Sequence, residues 1–261
     1  MAYRTDGSVH YSGIKSEGDV ANFLKTNLVY GDGEVVKKGG PKYKQDVEVI
    51  HEEYVSTLIS VKKKIKLSQG SFDYINTTKI DSSLKSSFKN FLSKISEIRE
   101  MSLDRRKELV DTIRTEFNEI SSSTLDSLEG DVLIDFLNRH VIEKNLDMKM
   151  WVVDKENEKY LVYNFESSPL YVLLENGYTP VLKETNKVST SRMVLFEKDG
   201  ETIDIGIRIR LTQNNGIHAW LKISPKPKNQ NSSIVLKIQQ DKVHNLIERI
   251  RNEGNLVEYN F

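Results

Sequence analysis

The chain has 261 residues, with 38 Lys plus Arg set against 38 Asp plus Glu and no cysteine. Balanced charge names no partner, the lack of thiols excludes disulfides and thiolate metal centres, and no apolar run approaches the ~20 residues of a membrane span. The opening MAYRTDGSVHYSG has no apolar signal region, so the expected setting is soluble and cytoplasmic, with no membrane partner. Charge is uneven locally. Lysines gather at 37–44, 62–66 and 222–228, whereas acids collect at Glu97, Glu100, Glu108, Glu116, Glu119, Asp126 and Glu129. Such basic segments are either solvated faces or places that grip a polyanion within the screening length of ~8–10 Å.

In chain order, Val20, Phe23, Leu24 and Leu28 at helical spacing predict a helix over 14–29 with Glu17 in its first turn. Three strands are expected at 34–38, 45–50 and 54–64, separated by Gly39-Gly40-Pro41 and His51-Glu52-Glu53. Apolar residues at i, i+3, i+4 across 81–144 predict three helices, with breaks near 101–102 and 121–123. From 146 the pattern turns to strands, closed by a helix at 240–253. The fold class expected is α/β (α+β), divided into 1–145 and a β-rich module over 146–261.

In Gln45-Asp46-Val47-Glu48-Val49 acids alternate with valines, so Asp46 and Glu48 share a strand face. On the next strand Ser56, Leu58, Ser60 and Lys62 share a face, opposite Val55, Ile59 and Val61. Pairing around 51–53 brings Asp46 beside Ser60 and Lys62. Carboxylates that hold a divalent cation, beside a lysine that orients water and offsets charge, suit phosphodiester hydrolysis. An exposed cross-strand ion pair of ~0.2–1 kcal/mol would produce the same residues.

Glu17, Asp46 and Ser60-Val61-Lys62 resemble the PD-(D/E)xK nuclease superfamily of type II restriction endonucleases and junction resolvases. There a helix supplies a Glu, a strand the Asp, and the next strand an acid-x-Lys tripeptide. The segment Gly70-Ser71-Phe72-Asp73-Tyr74-Ile75-Asn76-Thr77-Thr78 is also similar to the stretch after the lysine strand in some of these enzymes. The resemblance spans about residues 12–79. It implies a restriction-endonuclease-like core, Mg²⁺ held by Asp46 and Glu17, and Lys62 orienting the attacking water. Pro41 does not directly precede Asp46, and Ser60 stands where an acid is usual; Glu48 could supply that carboxylate.

Residues 203–223 read as a ribbon, in which Ile203, Ile205, Ile207, Ile209 and Leu211 alternate with Asp204, Gly206, Arg208 and Arg210. With a loop at Asn214-Asn215-Gly216, the returning strand carries His218, Trp220 and Lys222 on the same polar face. A two-stranded ribbon fits the DNA major groove, where Arg reads guanine; a cation–π pair on a solvated sheet explains Arg beside Trp equally well. The expected DNA contacts are Lys37, Lys38, Lys42, Lys44, Arg208, Arg210, Asn214, Asn215, Trp220 and Lys222. The expectation is a Mg²⁺-dependent, sequence-specific endonuclease acting on double-stranded DNA, with a homodimer left open. A structure-specific resolvase and a non-catalytic nucleic-acid-binding protein are the alternatives.

Overall fold

The structure is a computed structural model that describes residues 8–38, 45–52, 54–65, 68–76, 82–185, 190–213, 216–224 and 234–261. It is a mixed α and β protein built on two sheets joined through one strand. Helix α1 (Ser8–Asn27) lies on the meander of β1 (Glu34–Lys37), β2 (Val47–His51) and β3 (Tyr54–Ile65). Val20, Ala21 and Leu24 meet Val35, Val47, Val49 and Ile59 in a small core on that side. The helix begins earlier than its apolar spacing suggested, because 8–13 carry few apolar residues. Glu17 is therefore mid-helix and not in the first turn.

Strand β4 (Ser68–Asn76) pairs with β3 only at Lys64 and Ile65, where the chain passes from the first sheet into the second. The helical segment follows as α2 (Ser82–Arg99), α3 (Leu103–Glu108), α4 (Val110–Asp126) and α5 (Asp131–Leu137), the last continuing through a wide turn at Asn138–Ile142 into α6 (Glu143–Asn145). A break falls at Ser102, whose side chain caps α3 by accepting from Arg105 N. The break expected at 121–123 does not occur. Ser123 and Thr124 donate their hydroxyls to the Ile120 carbonyl, and Ser122 Oγ accepts from the buried guanidinium of Arg192 at 2.6 Å. Ser122 and Ser123 thus find partners without breaking the helix, although the Ser121 hydroxyl is buried without one; the helix ends at Asp126, and Gly130, at φ +54°, precedes the next one.

Strand β5 (Met148–Asp154) returns to lie parallel to β3, with β6 (Lys159–Asn164) antiparallel beside it. After α7 (Pro169–Glu175) the chain forms β7 (Thr179–Glu184), β8 (Ser191–Lys198) and β9 (Glu201–Gln213), then the short α8 (Gly216–Trp220). It ends with β10 (Ile234–Gln240), α9 (Val243–Asn252) and β11 (Val257–Asn260). The first sheet runs β1-β2-β3-β5-β6-β11, and the second β3-β4-β10-β9-β8-β7. Strands from both sides of residue 146 share each sheet, so that position marks a change of secondary structure inside a continuous sheet. The helices and the inner faces of both sheets enclose the larger core.

Three local features hold these layers. Trp151, fully buried in β5, donates its indole N–H to Tyr30 Oη at 3.3 Å and stacks on Tyr259 of β11; burial pushes the Tyr30 phenol up to about 12. Gly206, at φ +81°, lets α9 approach β9: its carbonyl accepts from Asp241 N at 2.6 Å, and an added Cβ would stand 2.5 Å from Lys242 N. Finally, Lys64 Nζ meets Asp154 Oδ2 at 2.6 Å with side chains only 16% and 4% exposed, and Asn157 donates to the same oxygen.

Burial opposes ionisation of Asp154, but the Lys64 and Asn157 hydrogen bonds overcome it and hold its pKa below the usual value. A depressed pKa adds stability above the ordinary carboxylate range, and that stability is lost as pH falls through the folded value. Asp154→Ala should cost about 3–5 kcal/mol by stranding Lys64. Asp154→Asn should flatten the loss of stability during acid titration below about pH 5; both are read by denaturant unfolding. Gly206→Ala should lower stability by more than about 2 kcal/mol, since a left-handed backbone and a forced contact add.

Candidate active site

The site is organised by β3. Val47, Val49 and Ile59 face the small core under α1, so strand alternation turns Glu48, Leu58 and Ser60 to the opposite face. There Met150 pairs in register with Ser60, and Val152 with Lys62. This face is not the open one that the acid–valine alternation suggests: Glu48 is 6% exposed and Ser60 is fully buried. The larger core covers it, because β3 is a central strand with layers on both sides.

Asp46 stands just before β2 and is fixed by its own backbone and side chain. Its N–H donates to the Ile59 carbonyl at 2.9 Å, its carbonyl accepts from Lys38 N at 2.9 Å, and Oδ2 accepts from Val61 N at 2.6 Å. The carboxylate is therefore seated on the peptide between Ser60 and Lys62. Ser60 Oγ is buried without a hydrogen-bond partner, and a buried hydroxyl left so is costly.

The other acids are engaged elsewhere. Glu48 Oε1 accepts from Gln45 Nε2 at 2.5 Å and Oε2 lies 3.2 Å from Lys38 Nζ, so its buried charge is paired. Glu17 projects from α1, and its carboxylate lies 3.5 Å from Lys37 Nζ, which also donates to the Ile14 carbonyl at 2.7 Å. α1 packs against the opposite side of the sheet from Glu48 and Ser60. Among the described residues no cluster of three or more His, Cys, Asp or Glu side chains forms a metal cage. Mg²⁺ commonly takes one or two carboxylates and fills its octahedron with water and substrate phosphate oxygens. Asp46, with Oδ1 beyond its backbone bond, offers one carboxylate oxygen to that sparse mode; among the described residues a full acidic cage does not form.

The expected DNA contacts divide. Lys42, Lys44, Asn214 and Asn215 lie outside the described residues, and Lys37 and Lys38 are ion-paired as above. The ribbon of 203–223 is corrected: β9 pairs with β8 and β10, while 216–220 form α8. Ile217, Trp220 and Leu221 also satisfy i, i+3, i+4, and burying all three in the core decides for the helix. Trp220 is fully buried, its ring centroid 5.9 Å from that of Phe91 and 6.1 Å from that of Phe117. It offers no surface to DNA. The exposed Lys222 follows at φ +53°, its carbonyl accepting from Arg106 at 2.8 Å. Arg208 ion-pairs with Asp241, and Arg210 is half-buried on the same face of β9.

Sequence reasoning missed Lys64 and Asp154. The signal was the i, i+2 spacing from Lys62, which puts both lysines on one strand face. Beside them a cleft of about 380 Å³ is lined by Lys159, His244, Glu248, Arg251 and Glu258. Its charges are internally paired, Lys159 and Arg251 with Glu258 and Arg251 with Glu248, so it clasps β11 and α9 onto the sheet.

The Asp46–Val61 bond separates charge from shape. Asp46→Asn keeps an acceptor oxygen and should leave stability nearly unchanged. Asp46→Ala leaves Val61 N unpaired and should cost about 1–3 kcal/mol. Equal losses in thermal or urea unfolding would contradict this geometry.

No family model matches this chain, and no curated protein or solved structure compared with it matches either.

Proposed function

We propose that the protein is a Mg²⁺-dependent endonuclease that hydrolyses phosphodiester bonds of double-stranded DNA at Asp46, Ser60 and Lys62. The observation that carries this reading is the 2.6 Å bond from Val61 N to Asp46 Oδ2. It joins the strand acid to the centre of the Ser-Val-Lys tripeptide, in the order of helix, acid strand and lysine strand that the PD-(D/E)xK resemblance implies.

The roles follow from chemistry. Asp46 would hold the cation, and Glu48 could join it only by leaving Lys38, whereas Glu17, paired with Lys37, lies on the α1 side of the sheet. The chemistry such an ion supplies is charge neutralisation at the phosphate and a more acidic bound water. Lys62 orients the attacking water and offsets negative charge on the phosphoryl oxygens as the water oxygen bonds to phosphorus and the ester P–O bond breaks. Ser60, fully buried, stands where most such sites carry a second anion. Its missing charge favours one alternative, a non-catalytic nucleic-acid-binding protein of the same build, and the same experiment decides between them.

Labelled duplex DNA is incubated with wild type, Asp46→Asn and Lys62→Ala in Mg²⁺, and retention is measured separately in Ca²⁺. Asp46→Asn should abolish cleavage. Lys62→Ala should slow it by about 10²-fold or more while keeping retention, because the lysine serves the transition state more than ground-state binding. Wild-type rates from Asp46→Asn would overturn the assignment, and retention without cleavage by the wild type would establish the binding protein instead.

A further inference from the structure

Strands β1, β7 and β11 lie at the outer edges of the sheets. An open edge offers unpaired N–H and C=O groups to any other strand, and proteins blunt such edges with lysine, proline or a bulge. β7 carries Pro180 and Lys183, and β1 carries Lys37. β11, Val257-Glu258-Tyr259-Asn260, has none of these devices. Among the described residues no strand pairs with its outer side. On its inner side Val257 lies opposite Val162 and Tyr259 opposite Tyr160, and Phe261 N continues the ladder by donating to the Glu158 carbonyl at 3.1 Å. Opposed residues of an antiparallel pair exchange both backbone bonds or neither, in alternation. Val257, Tyr259 and Phe261 therefore bond to β6, and Glu258 and Asn260 turn their N–H and C=O groups to the free side.

This edge complements itself. Val257, Tyr259 and Phe261 alternate onto the α1 face, where Tyr259 stacks on Trp151 and the Phe261 ring centroid lies 4.6 Å from that of Tyr160. Val257 is still 51% exposed and Phe261 55%. Glu258, on the other face, has its charge met by Lys159 and Arg251. We propose that β11 pairs antiparallel with β11 of a second copy of this chain around a two-fold axis, with Tyr259 opposite Tyr259. In that register Glu258 exchanges both backbone bonds with Asn260 of the second copy, and Asn260 with Glu258, so the outward groups of both residues are satisfied. Val257 meets Phe261 of the second copy at either end, which covers the exposed apolar side chains of both strands. Neutral Asn260 opposite Glu258 brings no like charges together, whereas Glu258 opposite Glu258 would set carboxylate against carboxylate. Matching of bonds, charge and apolar surface by the strand to itself is what favours a second copy over an unrelated strand. One short strand pair is smaller than a permanent interface, so the dimer forms and dissociates with concentration. The pairing does not depend on the nuclease reading.

Sedimentation velocity of the wild type from micromolar to submillimolar concentration should show a monomer–dimer equilibrium. Asn260→Pro removes an outward N–H and no bond to β6, and Val257→Lys places a charge on the edge. Each should weaken the dimer by about tenfold or more, with a melting temperature near that of the wild type. Val132→Lys, at an equally exposed valine of α5, should leave the equilibrium unchanged. The chain has no cysteine, so substitutions to cysteine read the register directly. Val257→Cys combined with Phe261→Cys, oxidised with glutathione disulfide, should give a reducible dimer on a denaturing gel, because a non-hydrogen-bonded pair brings opposed Cβ atoms within reach of a bridge. Either substitution alone should give none, since each position then stands at least ~13 Å from its counterpart in the second copy. The same ~13 Å separates the two positions within one chain, so no internal bridge competes. A wild type that stays monomeric throughout overturns the proposal. So does a dimer that Asn260→Pro and Val257→Lys leave at full strength, or bridging by a single variant as efficient as by the double one. If Asn260→Pro melts early, Val257→Lys and the cysteine pair decide.

Discussion

Strand β3 is the constraint on which the rest of the structure depends. It is the one strand common to both sheets, pairing with β2 and β5 along most of its length and with β4 at its end. A twelve-residue strand serving two sheets must be held against slippage, because a shift of one residue would exchange its faces. Asp46 holds one part through Val61 N, and Asp154 holds the far part through Lys64. Lys62 lies between these two anchors. The proposed role of Lys62 would thus be carried out from a strand fixed on both sides of it.

The fold was legible where the sequence periodicity had only one reading. The meander at 34–65 and the helix α2 emerged close to their expected limits, since alternating valines and i, i+4 apolar residues each bury a single face. It failed where two periods coexist. Ile217, Trp220 and Leu221 fit both a strand and a helical turn, and the aromatic site made by Phe91 and Phe117, more than one hundred residues earlier, chose the helix. The serines at 121–123 misled in a different way. Their hydroxyls looked like a break, but a buried arginine from β8 takes up that of Ser122 and the Ile120 carbonyl that of Ser123. The parallel pairing of β3 with β5 has no local signal, because the two strands are separated by the whole helical segment.

The candidate site was legible in its identities more than in its surroundings. Asp46, Ser60 and Lys62 could be set side by side from alternation and a short connection alone. Burial of that face could not, because it depends on the larger core closing over a central strand. Its consequence is the pairing of Glu48 with Lys38 and Gln45, which commits to stability a carboxylate that the sequence suggested for metal. Glu17 is similarly held by Lys37 on the α1 side. The result is a sparse site with one well-fixed acid, an unpartnered hydroxyl and a lysine on the same strand face. On the second sheet, Arg208 and Arg210 stood out in the sequence, but their different situations did not. Asp241, which pairs with Arg208, comes from the turn after β10, and only the β9–β10 pairing brings it across.

The central claim is that this sparse site hydrolyses phosphodiester bonds with Mg²⁺. The most direct measurement is the fate of supercoiled plasmid incubated with the purified wild-type protein in Mg²⁺, with a parallel reaction in EDTA. The account predicts linear or fragmented DNA that appears only with Mg²⁺, in discrete bands if recognition is sequence-specific. Plasmid that stays supercoiled in Mg²⁺, or is cut equally in EDTA, would contradict it.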